Sequence, residues 1–450
     1  MKKSAQAFLL GLFVLGAGGA VLLWPPVNVQ REPKALTASS ASRLLDPLQI
    51  VLTPQVGDSV LDKQIRDLQA KVQAGTNRNA FLERLGWSFV AKARLTSDPG
   101  FYSLAEQAAN AIAATTPDDP SVHLLRGHVR HAQHRFAEAE EMARVLVGRR
   151  ESSFDFALLG DALMEQGKLG EAVDAYQKMM DLKPCLQSYS RVAHMRWLKG
   201  DLRGAIEAIR LAVSAGNPRE PEPTSWAYTR LALYQLQAGE FEPARISTDA
   251  ALQVAPDYAP ALLMKGRVLL SQGKSDEAVE PLHQAAAISP LPEYFWILAE
   301  ALRANGNAAE ADQAAAQLVA TGPSADPRTT AIFVASSGQN APLALQLASA
   351  ELASRQDIFT HDAMAWAQFA NGDIEGARAS SRLALAEGTQ DARLFYHAGV
   401  IAAAAGANAE ALEFFNKAHP FEQMLFPSER KALGLQTAAL IGAAAQISIN

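Results

Sequence analysis

Pairs of small residues twelve positions apart recur along the chain and leave it few ways to fold. They are Gly127/Ala139, Gly160/Ala172, Ala193/Ala205, Ala232/Ala244, Gly266/Ala278, Ala299/Ala311, Ala365/Ala377 and Gly399/Ala411. Their first members mostly step by 33 or 34 residues. Seven residues after most first members stands a glycine: Gly167, Gly200, Gly239, Gly273, Gly306, Gly372 and Gly406. Twelve after the second member often stands a proline: Pro184, Pro256, Pro290 and Pro323. This pattern reads as two short helices joined at the glycine, which enters a left-handed helix end without Cβ strain. Small residues let the paired helices approach closely, and the proline closes the second helix. Neither helix buries its apolar face alone, so neighbouring units must stack.

The spacing resembles the tetratricopeptide repeat, a helix–turn–helix unit of about 34 residues. Its best match is Phe156-x-x-Leu159-Gly160-x-x-Leu163, followed by Gly167, Leu169, Ala172, Tyr176 and Pro184. The resemblance covers about nine units over residues 120–423 and implies an all-α superhelical solenoid. Residues 58–119 read as N-terminal helices with a divergent repeat around Leu85-Gly86 and an insertion through Ser97-Asp98-Pro99-Gly100. The step from Ala193 to Ala232 is 39 residues, which fits an extra loop at 217–223. A unit near Ala331 pairs with Ala344 one residue out of register. Residues 424–450 read as a capping helix and tail.

The N-terminus carries a different signal. Lys2 and Lys3 precede an uncharged apolar stretch from Ala7 to Trp24. A helix there is about 27 Å long, enough for a hydrocarbon core. The lysines place the preceding end in the cytoplasm and the remainder outside it. Residues 1–24 are therefore expected to be a membrane anchor or, through Ala17-Gly18-Gly19-Ala20, a cleaved signal. A buried helix of the fold is the third reading. Pro25-Pro26 stops the helix, and residues 25–57 are expected to be a linker.

Composition narrows the function classes. Apolar residues make up 49% and charged residues 20%, which supports a buried core. The net charge of −6 lacks the basic footprint of a nucleic-acid binder. The one cysteine, Cys185, excludes an intramolecular disulfide and a cysteine-rich metal site. No phosphate-cradling glycine loop, His-Glu-x-x-His or Gly-x-Ser-x-Gly is present, so neither an enzyme nor a bound cofactor is expected.

The resemblance implies that the first helix of each unit lines a concave groove, at positions −6, −3, +1 and +4 from the first small residue. Two patches stand out there. One combines His128, His131, Phe154, Asp161, Met164, Ser190, His194 and Trp197. It reads as polar packing or peptide contact, with His128, Asp161 and His194 as a remote metal-ligand set. The other combines Phe359, Asp362, Trp366, Phe369, Arg393, Tyr396 and His397. Aromatic and arginine side chains of this kind anchor partners, unless the superhelix or its cap covers them. Trp226, Trp296, Glu300 and Arg303 form a thinner third group. Some repeats of this type clamp a C-terminal carboxylate with Lys, Asn and Arg; here the +1 position is never Asn or Lys, and is Arg only at Arg267, so that clamp is not expected. The expected function is an interaction scaffold for a peptide or protein partner, in assembly or stabilisation of a cell-envelope complex. Metal or small-ligand binding through the histidine patch is the alternative.

Overall fold

A computed structural model describes residues 46–449 except residue 218. The apolar segment 7–24 and residues 25–45 of the expected linker lie outside the described residues. Among the described residues there are twenty-three α-helices, one 3-10 helix and no strand. None of these helices is long and apolar enough to cross a membrane.

The helices pair in sequence order. Ten antiparallel pairs run from Arg78–Thr96 with Gly100–Ala113 to Ala392–Ala404 with Asn408–Ala418. Each pair closes at its small residues. A Cβ on Gly160 would lie 2.3 Å from the Tyr176 ring, one on Gly266 2.3 Å from Leu282, and one on Gly399 2.3 Å from Phe415. The second members Ala139, Ala172, Ala205, Ala244, Ala278, Ala311, Ala377 and Ala411 are all fully buried. Every turn glycine of the pattern has φ between +72° and +85°. In the Gly127 unit the corresponding position holds His134, at φ +58°.

The irregular segments take helical form. The first pair's extra length lies in the helix Arg78–Thr96, and only Ser97–Pro99 forms its turn. Part of the excess after Ala193 is a longer helix, Pro221–Gln237. The weak unit near Ala331 is a complete pair, Pro327–Ser337 and Ala341–Leu352, turning at Gly338. Pro184, Pro256 and Pro290 follow their helices, but Pro323 lies within Ala308–Ala325. Gly322, the residue before it, lacks the Cβ that normally clashes with a proline ring in helical conformation. The final stretch of the expected linker carries a helix, Pro47–Val51, whose Val51 is fully buried. After the last pair, a 3-10 turn His419–Met424 leads into a terminal helix, Pro427–Ile449.

The superhelix winds tightly enough that one turn rests on the next. Hydrogen bonds and ion pairs link residues 186 to 192 positions apart, or about six units. Ser97 meets Ser289, Thr389 donates to the Leu198 carbonyl, Lys199 pairs with Glu387, and Gln423 donates to the Gln237 carbonyl. Gln356 N–H bonds the Glu165 carbonyl at 2.9 Å. Here the turn glycines have a second role. A Cβ on Gly167 would lie 2.6 Å from the Gln356 carbonyl oxygen, and one on Gly200 2.5 Å from that of Gly388. Gly273 has the same backbone conformation but faces open space.

Gly167→Ala and Gly273→Ala therefore separate backbone strain from turn stacking. Both are expected to lose about 1 kcal/mol to left-handed strain. Gly167→Ala should lose about 1–3 kcal/mol more through overpacking. Equal losses in urea unfolding would show that the superhelical turns do not bear on each other there.

Candidate functional site: the concave groove

The first helices Pro120–Ala132, Ser153–Glu165, Leu186–Leu198 and Pro221–Gln237 turn the expected stripe inward around a cavity of about 920 Å³. Its wall includes Leu124, His128, Phe154, Ala157, Asp161, Met164, Ser190, His194 and Trp226, joined by Trp87 from the preceding pair. Phe154 is 47% exposed, whereas Ser190 is buried and donates to the Leu186 carbonyl at 2.7 Å. His131 packs edge-on against Phe136. Trp197 lines an adjoining cavity of about 360 Å³, stacks on Phe359 at 5.7 Å and donates to Gln237 Oε1.

Several polar groups of the larger cavity satisfy one another. Asp161 accepts from Arg191 Nε at 2.8 Å and Nη2 at 2.5 Å, and from the Tyr176 hydroxyl at 2.8 Å. Burial pushes this carboxyl up, but the Arg191 guanidinium outweighs burial and holds it down at about 2. Arg94 pairs with Glu222 at 3.2 Å. Burial drops His128 and His194 to about 3, so both rings are neutral at pH 7. His128 sits edge-on to Trp87 at 4.9 Å, and His194 stacks on Trp197 at 5.4 Å.

His128, Asp161 and His194 thus face one cavity without forming a ligand set. Asp161 has both oxygens on Arg191, and no group of three or more His, Cys, Asp or Glu among the described residues is placed to hold a metal ion. Cys185 is half-buried at the start of the helix Leu186–Leu198.

The second aromatic patch is internal. Trp366 and Tyr396 are each 7% exposed, and His397 is 1% exposed. Trp366 stacks on His397 at 4.0 Å and on Phe369 at 5.0 Å, and its Nε1 donates to Ser336. His397 Nδ1 lies 2.9 Å from Asp362. Phe359 is half-buried between Trp197 and Arg328. Arg393 is taken by the chain's own cap, through bonds of 2.8 and 3.0 Å to Glu429.

That cap fills the C-terminal half of the groove. Gln423 donates to the Leu236 and Gln237 carbonyls, and Arg267 donates to the Met424 carbonyl. Phe426 lies edge-on to Trp296 at 5.0 Å. Ser428 donates from its N–H and hydroxyl to Glu300. Arg303 pairs with Asp312 rather than with Glu300. Arg191, Arg230 and the cap residues Phe426 and Glu429 belong to the groove but not to the predicted stripe. Arg230 stands two residues before Ala232, so a search confined to the stripe passes over it.

Two family models, each described as tetratricopeptide repeat, match residues 156–184 and 229–292. These matches, with the helix pairs closing at the same small positions, show tetratricopeptide repeats in this chain. Among solved structures, the chain shares 22% identity with the MamA protein over 38% of this chain and 91% of that one, with a TM-score of 0.30. Yeast Tom70 shares 14% identity over 86% of this chain and 97% of that one, with a TM-score of 0.39. A tetratricopeptide repeat protein from Parabacteroides merdae shares 19% identity over 56% and 98%, with a TM-score of 0.33. No curated protein matches the sequence.

The Asp161–Arg191 pair sets an acid-side prediction. The folded value of about 2 lies below the ordinary 3.8. Its stabilisation is therefore present above about pH 4 and lost as pH falls toward 2, amounting to about 2 kcal/mol. Asp161→Asn should unfold more easily than wild type at pH 7, with the gap narrowing toward pH 2 in thermal melts. A gap independent of pH would contradict the pairing.

Proposed function

We propose that the protein is an interaction scaffold that holds a peptide segment of a partner protein in the N-terminal half of its concave groove. The observation that carries this reading is the cavity of about 920 Å³ spanning consecutive first helices. Its size falls within the roughly 300–1,000 Å³ of ligand sites, and its wall combines aromatic and apolar surface with a few polar groups. The C-terminal half is occupied by residues 423–429, so the open half is where a partner has room. Mutual pairing of Asp161 with Arg191 and of Glu222 with Arg94 favours binding over acid–base chemistry. The lysines and apolar stretch of residues 1–24 support a place for the scaffold in a cell-envelope complex, exported or tethered through residues 7–24.

Crosslinking pull-downs from native membranes test both parts. The double variant Phe154→Ala/Trp226→Ala should lose the partner by about tenfold or more, as loss of aromatic anchors does, while its circular dichroism stays unchanged. Undiminished recovery would overturn the groove reading. Partners recovered equally by a variant lacking residues 1–24 would overturn the tethered arrangement.

A further inference from the structure

The groove contains three arginines set against aromatic faces, and two of them, Arg393 and Arg328, have a carboxylate. Arg393 lies over Trp296 at 5.0 Å and Phe426 at 4.6 Å, and grips Glu429 through two nitrogens. Glu429 arrives on the cap segment, three residues after Phe426. Arg230 lies over Trp197 and Trp226 at 5.9 Å each and over Tyr234 at 5.2 Å. Its Nη2 reaches only neutral groups, the Tyr234 hydroxyl at 3.2 Å and His194 Nδ1 at 3.5 Å.

No carboxylate stands within 4.0 Å of Arg230 among the described residues. Two of the three acidic residues lining the same cavity are engaged elsewhere. Asp161 is held by Arg191 and Tyr176, and Glu222 by Arg94. Glu83 lies with Trp87 on the wall built by the first helix pair. Arg230 therefore presents a half-buried cation to both the larger and the smaller cavity. Aromatic faces offset part of the cost of removing that cation from water. A carboxylate would complete it with a charge-assisted, two-pronged bond, as Glu429 does for Arg393.

We propose that Arg230 is the anion anchor of the open groove and that the partner segment is an acidic peptide, seating an aspartate or glutamate side chain on this guanidinium. This inference rests on the peptide-groove reading above. The filled half of the groove supplies the pattern: the entry to the terminal helix places an aromatic ring, Phe426, and then a carboxylate, Glu429, against one arginine.

The test is selection of short random peptides, displayed on phage with blocked termini, against the full chain and against Arg230→Met. The wild type should enrich peptides containing Asp or Glu. Replacing that acid by its amide, or Arg230 by Met, should weaken the best peptide about tenfold, and Arg230→Lys should recover part of the loss. If Arg230→Met does not fold, the acid-to-amide comparison on wild type decides. Selected peptides without acidic enrichment, or binding Arg230→Met equally well, would overturn the anchor and leave the groove standing. No peptide selected by wild type would overturn the groove reading itself.

Discussion

Close approach of paired helices, allowed by missing side-chain atoms, is the constraint on which the structure depends. At Gly160, Gly266 and Gly399 the partner helix's Tyr176, Leu282 and Phe415 fill the space a Cβ would take. That contact fixes the separation of the pair and turns both apolar faces toward the neighbouring units. The stacking angle follows, and with it the curvature that directs one stripe of every first helix into a common groove. A groove of this kind owes its chemistry to single residues contributed by successive units, so His128, Asp161 and His194, far apart in sequence, come to line one cavity.

The two halves of the groove use one wall differently. In the C-terminal half, polar and aromatic positions are satisfied within the chain: Glu300 by Ser428, Arg393 by Glu429, Trp296 by Phe426. In the N-terminal half, ion pairs neutralise most of the wall, and burial keeps its histidines uncharged. What remains open is largely aromatic, with Arg230 and Glu83 as the exceptions.

Much of the fold was legible because the repeat is a local code. Small residues at fixed spacing and a glycine seven positions on are read without knowing what lies across the molecule, and even the weak unit near Ala331, whose second small residue is one place out, keeps the glycine at Gly338. The stripe was legible for the same reason, and it brought Phe154, Asp161, Ser190 and His194 to one cavity. The capture of Arg393, Trp296 and Glu300 was not, because it depends on a segment that returns from residues 423–429. Local periodicity carries no record of where a chain end folds back. Asp161 shows the same limit: its candidacy as a ligand came from residue type, and its capture by Arg191 came from a side chain thirty positions away. Pro323 was misread because its helix runs two residues past it, to Ala325, before it ends.

Contacts between successive superhelical turns also change what kind of object this solenoid is. An array whose units touch only their immediate neighbours behaves as a chain of independent links, tolerating loss or gain of a link. Here several links are tied as well to ones about six places away, through contacts such as Gly167 with Gln356 and Leu198 with Thr389. Removing one unit would shift all later cross-turn partners by a whole repeat at once. Unit number is thereby locked by closure, as in a spring wound until its coils touch, and the array gains rigidity at the expense of evolutionary freedom to lengthen.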